Sequence, residues 1–179
     1  MKINEIERLY HGTSQKFDIF DFAKAKGFKD FGRGFYLTSN PVQAMRWAQK
    51  KAGKTTKAYM YSYTVAHVEP GEWKILELLK YDKKWLDFIC KSRLEGFDTA
   101  YVIIYDKMAD SYFSNISDAL QAYLSKEVSA AEVIKELKWK EGFEADQYCF
   151  KNEKSLQLLK NKTIFEMTKK EDGIWYLDE

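Results

Sequence analysis

Apolar and polar positions along this chain change period several times, and each change predicts an element. From Lys57 to Val68 every second residue is aromatic or aliphatic (Tyr59, Tyr61, Tyr63, Val65), the two-residue period of a half-buried strand, and Pro70-Gly71 closes it with a turn. Upstream, Glu7 to His11 reads as a short strand turning at Gly12-Thr13-Ser14. Gln15 to Phe28 reads as a surface loop pinned by Phe17, Phe20 and Phe22, and Gly34 to Thr38 as a second strand. Ser39-Asn40-Pro41 is a helix start, a capping residue with proline in the first turn. The helix that follows covers Val42 to Lys51, with Val42, Met45 and Ala48-Gln49 near one face.

Beyond the turn at Pro70, Trp73 to Leu79 fits a strand or a short helix. Asp82 to Arg93 has helical spacing (Trp85, Phe88, Ile89), and Asp98 to Tyr105 is a buried strand of β-formers. Ser117 to Leu124 and Ser129 to Leu137 read as helices behind serine caps, the second with the capping box Ser129/Glu132. Gln147 to Lys151 is a β-rich pentad, Lys154 to Leu159 a short apolar-faced segment, and Ile164 to Thr168 with Gly173 to Leu177 a last strand pair. Strands early, helices in the middle and strands late predict an α+β domain rather than repeated βαβ units. No internal repeat is visible, and one domain over residues 1–179 is expected.

Composition narrows the classes. The chain is 45% hydrophobic and 16% aromatic, enough for a packed core with rings left for a cleft. A net charge of +2, from 29 basic and 27 acidic residues, does not mark a nucleic-acid protein. Lysine clusters at Lys50 to Lys57 and Lys151 to Lys162 read as solvated faces, although a basic rim would also suit NAD phosphates or an RNA backbone. Cys90 and Cys149 are far apart in apolar runs and read as buried free thiols. With neither an apolar leader nor a membrane-length run, a reducing, cytoplasmic setting is the expectation. There is no GxGxxG, no P-loop, no GxSxG elbow, and no metal-ligand spacing around the two histidines, His11 and His67.

Two segments carry the chemistry: Leu9-Tyr10-His11-Gly12-Thr13 and Phe31-Gly32-Arg33-Gly34-Phe35-Tyr36-Leu37-Thr38. Each places a polar or aromatic side chain beside glycine at a strand. Together they resemble the NAD site of ADP-ribosyltransferases of the diphtheria-toxin and poly(ADP-ribose) polymerase type, most closely a little-characterised bacterial branch. The resemblance touches about a third of the chain, between Leu9 and Leu159. It implies a split β-sandwich with flanking helices and a NAD cleft, with NAD as co-substrate and no metal. By it, His11 would bond the adenosine ribose and Gly12 would offer backbone groups to the nicotinamide carboxamide. Thr13 would belong to the same cofactor-binding turn. Tyr36 would stack on nicotinamide, Trp47 would supply a second ring, and Arg33 would reach a phosphate.

Asp146-Gln147-Tyr148-Cys149-Phe150 resembles the third motif of that family, with Gln147 where a catalytic glutamate stands. Glutamine keeps the hydrogen bond but not the charge, which argues against polymer synthesis and leaves single transfer. Glu144 or Asp146 would then be nearby carboxylates able to supply charge. Asp106-Lys107 replaces a glycine-proline pair usual in the bacterial branch before a comparable Ala-Asp, so Asp110 reads as part of a structural loop. Taken singly, each piece has a plainer reading. A His-Gly pair at a strand end is a turn, Gly-x-Gly before a ring is a hairpin or bulge, Trp47 is a core residue of its helix, and Gln147 is uninformative.

The function expected is mono-ADP-ribosyl transfer from NAD to a macromolecular acceptor, protein or nucleic acid, catalysed with His11, Tyr36 and Gln147. The resemblance further implies a bacterial toxin, effector or phage-defence component, with a cognate antitoxin or immunity protein as a possible partner. Two other readings stay open. One is a NAD- or ADP-ribose-binding module without transfer, and the other an RNA-binding domain on the same fold.

Overall fold

The alternation in the Tyr59–Val65 region forms β3 (Lys57–Val65), which sits inside a four-stranded antiparallel sheet. Its order is β1 (Arg8–Thr13), β3, β7 (Leu159–Lys169) and β8 (Trp175–Leu177). A second sheet runs β2 (Phe35–Leu37), β6 (Gln147–Phe150), β5 (Ile103–Asp106) and β4 (Ile75–Leu78), antiparallel except for β4 beside β5. This computed structural model describes residues 2–97, 99–109, 115–138, 140 and 145–178.

The two sheets face each other across an aromatic core. Leu9, Tyr61 and Tyr63 from the first meet Phe35, Leu37, Ile103, Tyr105, Tyr148 and Phe150 from the second. Burying one such side chain contributes about 2–3 kcal/mol. On the outer face of the second sheet, α2 (Lys83–Leu94), α3 (Ile116–Leu124) and α4 (Ala130–Leu137) cover Leu76, Leu78, Ile104 and Cys149. On the outer face of the first lies α1 (Pro41–Ala52), capped by the Asn40 side chain. A single short turn, α5 (Glu153–Leu156), links β6 to β7. The α+β class is therefore realised as a sandwich of two sheets flanked by helices.

Several expectations shift in detail. The buried stripe of α1 is Ala44, Ala48 and Ala52, while Val42 is exposed. Contact distance decides this. A Cβ on Gly12 would lie 1.9 Å from the Ala44 carbonyl oxygen, so strand and helix touch where only the smallest side chains fit. The cap of α3 is Asn115, two residues before the predicted serine. Ser129 does cap α4, with Glu132 returning the bond to its backbone. The strand expected from Asp98 begins only at Ile103, where the chain enters between β4 and β6. β7 starts five residues before the predicted Ile164, because pairing with β3 carries its lysine-rich start into the sheet.

Cys90 and Cys149 are free and buried, and burial pushes their thiols up to about 11 and about 12. Among the described residues no helix is long and apolar enough to cross a membrane.

Candidate functional site

β1 and β2 are edge strands of different sheets, and they meet at one rung. The Tyr10 N–H donates to the Thr38 carbonyl (2.8 Å) and the Thr38 N–H to that of Tyr10 (2.9 Å). By the alternation of an antiparallel pair, the next groups to face each other across this seam belong to Gly12 and Tyr36. They do not pair. The imidazole of His11 bonds the strand opposite instead, its Nδ1 lying 2.7 Å from the Tyr36 carbonyl oxygen. A carbonyl only accepts, so Nδ1 carries the hydrogen and Nε2 presents a lone pair. Burial lowers the His11 pKa to about 4, with the nearby Lys29 charge acting in the same direction, and the ring is neutral at physiological pH. Phe17, Phe35 and Tyr61 enclose it, with ring centroids at 5.8, 4.6 and 6.4 Å. The Gly12 N–H and C=O point into the seam with no hydrogen-bond partner among the described residues.

Tyr36 points to the opposite face of β2, and its hydroxyl anchors the loop before that strand. It donates to the Gly32 carbonyl (2.6 Å) and accepts from the Phe31 N–H (3.0 Å). Gly32 holds φ at +75°, the left-handed region that glycine enters without strain. Ser92 Oγ donates to the Lys29 carbonyl and Lys151 Nζ to that of Phe31, both at 2.7 Å. Lys151, expected on a solvated face, is thus a structural tie. The Lys29 ammonium lies 5.0 Å above the Tyr36 ring, and burial together with the Lys51 charge lowers its pKa. Burial holds the Tyr36 phenol well above its usual range, so it stays protonated.

Gln147 shares that face. Tyr36 lies opposite Cys149 in the β2–β6 ladder, and Gln147 is two residues further along the same side. Its Nε2 donates to Oδ2 of Asp30 (3.0 Å), a carboxylate that also accepts from the Ala109 N–H (2.8 Å) and from Nε of Arg93 on α2 (2.5 Å). Opposite Gln147 on β5 stands Asp106, with φ of +104° and a 2.9 Å bond from Lys107 Nζ. Asp106 thus holds a φ in the left-handed half of the map, which glycine adopts without strain.

The remaining candidates fall around this centre. Asp146 turns both oxygens to the start of α1, accepting from Thr38 Oγ1 (2.7 Å), Ser39 N (2.8 Å) and Ser39 Oγ (2.5 Å). Gln43 braces it, with Nε2 donating to the Asp146 carbonyl at 2.9 Å. Trp47 is not core. It is 46% exposed, with Lys51 and Lys50 ammoniums 4.7 and 5.7 Å from its ring. Thr13 ends β1 and accepts from Gln15 N (3.1 Å), and Arg33 is exposed in the turn before β2. Lys57 is held by Glu166 (2.7 Å) and Asp178 (2.9 Å). Glu144 and Asp110 lie outside the described residues.

One family model matches residues 8–161, from the first residue of β1 into β7, and so spans His11, Tyr36 and Gln147 alike. The chain belongs to the DUF3990 family, described as proteins of unknown function. No curated protein and no solved structure matches it. In this DUF3990 chain the folded seam gathers His11, Gly12 and the Tyr36 backbone, while the Tyr36 ring and Gln147 share the adjoining face. Sequence reasoning missed Asp30, Arg93 and Lys29. Asp30 directly precedes the Phe31-Gly32-Arg33-Gly34 turn, and that position was its one available signal. Arg93 and Lys29 reach the site only through tertiary packing.

Proposed function

We propose that the protein is a NAD-dependent mono-ADP-ribosyltransferase, cleaving the nicotinamide–ribose bond and passing ADP-ribose to a macromolecular acceptor. The observation that carries this reading is the opened seam beyond the Tyr10–Thr38 rung, where the His11 imidazole joins the first motif to the second. The unpaired Gly12 N–H and C=O match a primary carboxamide, which brings one acceptor and one donor. Neutral His11 keeps Nε2 as an acceptor for a ribose hydroxyl. A nicotinamide ring stacking on Tyr36 would displace the Lys29 ammonium, the end of a flexible side chain.

Cleavage passes through an oxocarbenium-like state, as in glycoside hydrolysis, so positioning and electrostatics do most of the work. Gln147, on the Tyr36 face, would orient the 2′-hydroxyl through Oε1. Trp47 and its lysines form a cationic, aromatic rim suited to the phosphates and adenine of the donor.

A second reading, a NAD- or ADP-ribose-binding module without transfer, is favoured by the amide at Gln147, which carries no charge to meet the growing cation. Nicotinamide release from NAD, measured with cell lysate as acceptor source beside Tyr36→Ala and Tyr36→Phe, separates the two. Release that needs lysate and survives in Tyr36→Phe but not in folded Tyr36→Ala supports the transferase. Binding without release supports the module. Neither binding nor release overturns both.

A further inference from the structure

The Asp30 side chain is 2% exposed and the Arg93 side chain paired with it 23%, so the carboxylate is interior and its counterion lies toward solvent. Three donors converge on Asp30, from Arg93, Ala109 and Gln147. An ionised carboxylate has only acceptors. The Gln147 amide must therefore turn its NH2 toward Asp30 and its Oε1 away, and no donor among the described residues occupies that oxygen. An amide N–H bonded to a carboxylate shifts electron density onto the carbonyl oxygen of the same amide. The loop that carries Asp30 is itself fixed by Ser92, Lys151 and the Tyr36 hydroxyl, so this orientation is built into the fold.

We propose that Asp30 is the positioning residue of the site: it locks Gln147 with Oε1 outward and supplies, one hydrogen bond behind it, the negative charge that position 147 lacks. Position 147 then has to be an uncharged donor. A glutamate there would face the interior Asp30 as a second, half-buried carboxylate, leaving two acceptors with no proton between them. Glutamine is thus paired to an acid supplied from elsewhere in the chain. The catalytic part of this inference rests on the transferase reading above, whereas the pairing of Asp30 with Gln147 does not.

Gln147→Glu, Asp30→Asn and the double variant test it. At pH 8, Gln147→Glu is expected to lower the thermal midpoint by about 5 °C or more. In the double variant the carboxylate stands at position 147, and the amide that replaces Asp30 can donate to it only by also turning its NH2 toward the Ala109 N–H. That variant is expected to melt above Gln147→Glu, in which two carboxylates face each other, as coupled neighbours do. A Gln147→Glu protein as stable as the parent, or a double variant no more stable than Gln147→Glu, overturns the pairing. Nicotinamide release reads the second half. Asp30→Asn is expected to lower kcat about tenfold or more, and the double variant, with full charge restored at position 147, to regain it. A merely structural Asp30 would leave the folded double variant as slow as Asp30→Asn, and that result overturns the charge assignment. If the parent protein releases no nicotinamide at all, the transferase reading falls and takes the catalytic half with it, while the melting data still decide the pair.

Discussion

His11 reaches across from β1 to bond the backbone carbonyl of Tyr36 through Nδ1, at 2.7 Å. This contact joins residues 25 positions apart, fixes which nitrogen carries the hydrogen, and holds the two edge strands at a set spacing without closing the ladder between them. Neither motif alone specifies it.

The same contact makes stability pH-dependent in a definite direction. His11 has a folded pKa of about 4 against 6.5 for an unperturbed histidine. Its neutral form is favoured by the fold, so its contribution is complete above pH 6.5 and declines as pH falls toward 4, where the unfolded chain gains a proton that the folded chain refuses. The loss across that window is about 2–3 kcal/mol. Denaturant unfolding of the parent and of His11→Gln, which keeps a donor for Tyr36 but cannot titrate, should diverge over this interval and run parallel above it.

Gly12→Ala is expected to cost about 2 kcal/mol or more, since the added methyl would lie 1.9 Å from a backbone oxygen of α1 and neither partner is a flexible side chain. Chemical denaturation measures this directly. A loss below about 0.5 kcal/mol would show that α1 slides freely over β1, contrary to the packing described.

Asp106 separates strain from charge. Asp106→Gly and Asp106→Ala both remove the carboxylate that bonds Lys107, but only glycine relaxes a φ of +104°. The glycine variant should therefore be the more stable of the two by about 1 kcal/mol. Equal midpoints in denaturant would refute a strained backbone at this position.

Trp47 divides fold from binding. With its ring 46% exposed, Trp47→Ala should shift stability by no more than about 0.5 kcal/mol. The same change should weaken NAD binding about tenfold if the ring forms a wall of the donor site. Calorimetric titration beside a thermal melt reads both quantities on one sample, and unchanged binding would remove Trp47 from the site.

Much of the fold was legible because period and punctuation agree. The tyrosine alternation of β3, the Asn40-Pro41 helix start and the Ser129/Glu132 box each act locally, and each forms where the pattern places it. What hydrophobicity could not show is the alanine face of α1. Alanine gives almost no apolar signal, and its value there comes from the distance to Gly12, a property of the pair of elements. The site divides in the same way. His11, Gly12 and Tyr36 were reached through the resemblance of two short motifs, whereas Asp30 matters only because Arg93, Ala109 and Gln147 converge on it from three other parts of the chain. Lys151 shows the reverse error. It belongs to a lysine-rich run, yet its ammonium holds a backbone carbonyl.

The single rung between Tyr10 and Thr38 also has a consequence for selectivity. Just past it, the buried Gly12 turns one N–H and one C=O from the same residue into the seam, with Ala44 and Ala48 packed close against its Cα. A planar group offering one hydrogen and one lone pair satisfies both. A carboxylate of the same outline offers two lone pairs and is repelled by the carbonyl, at a cost of about 1–3 kcal/mol for each buried polar atom left unmatched. A nicotinamide carboxamide seated there, as proposed, would therefore be told from its own hydrolysis product by main-chain atoms that no side-chain substitution can erase.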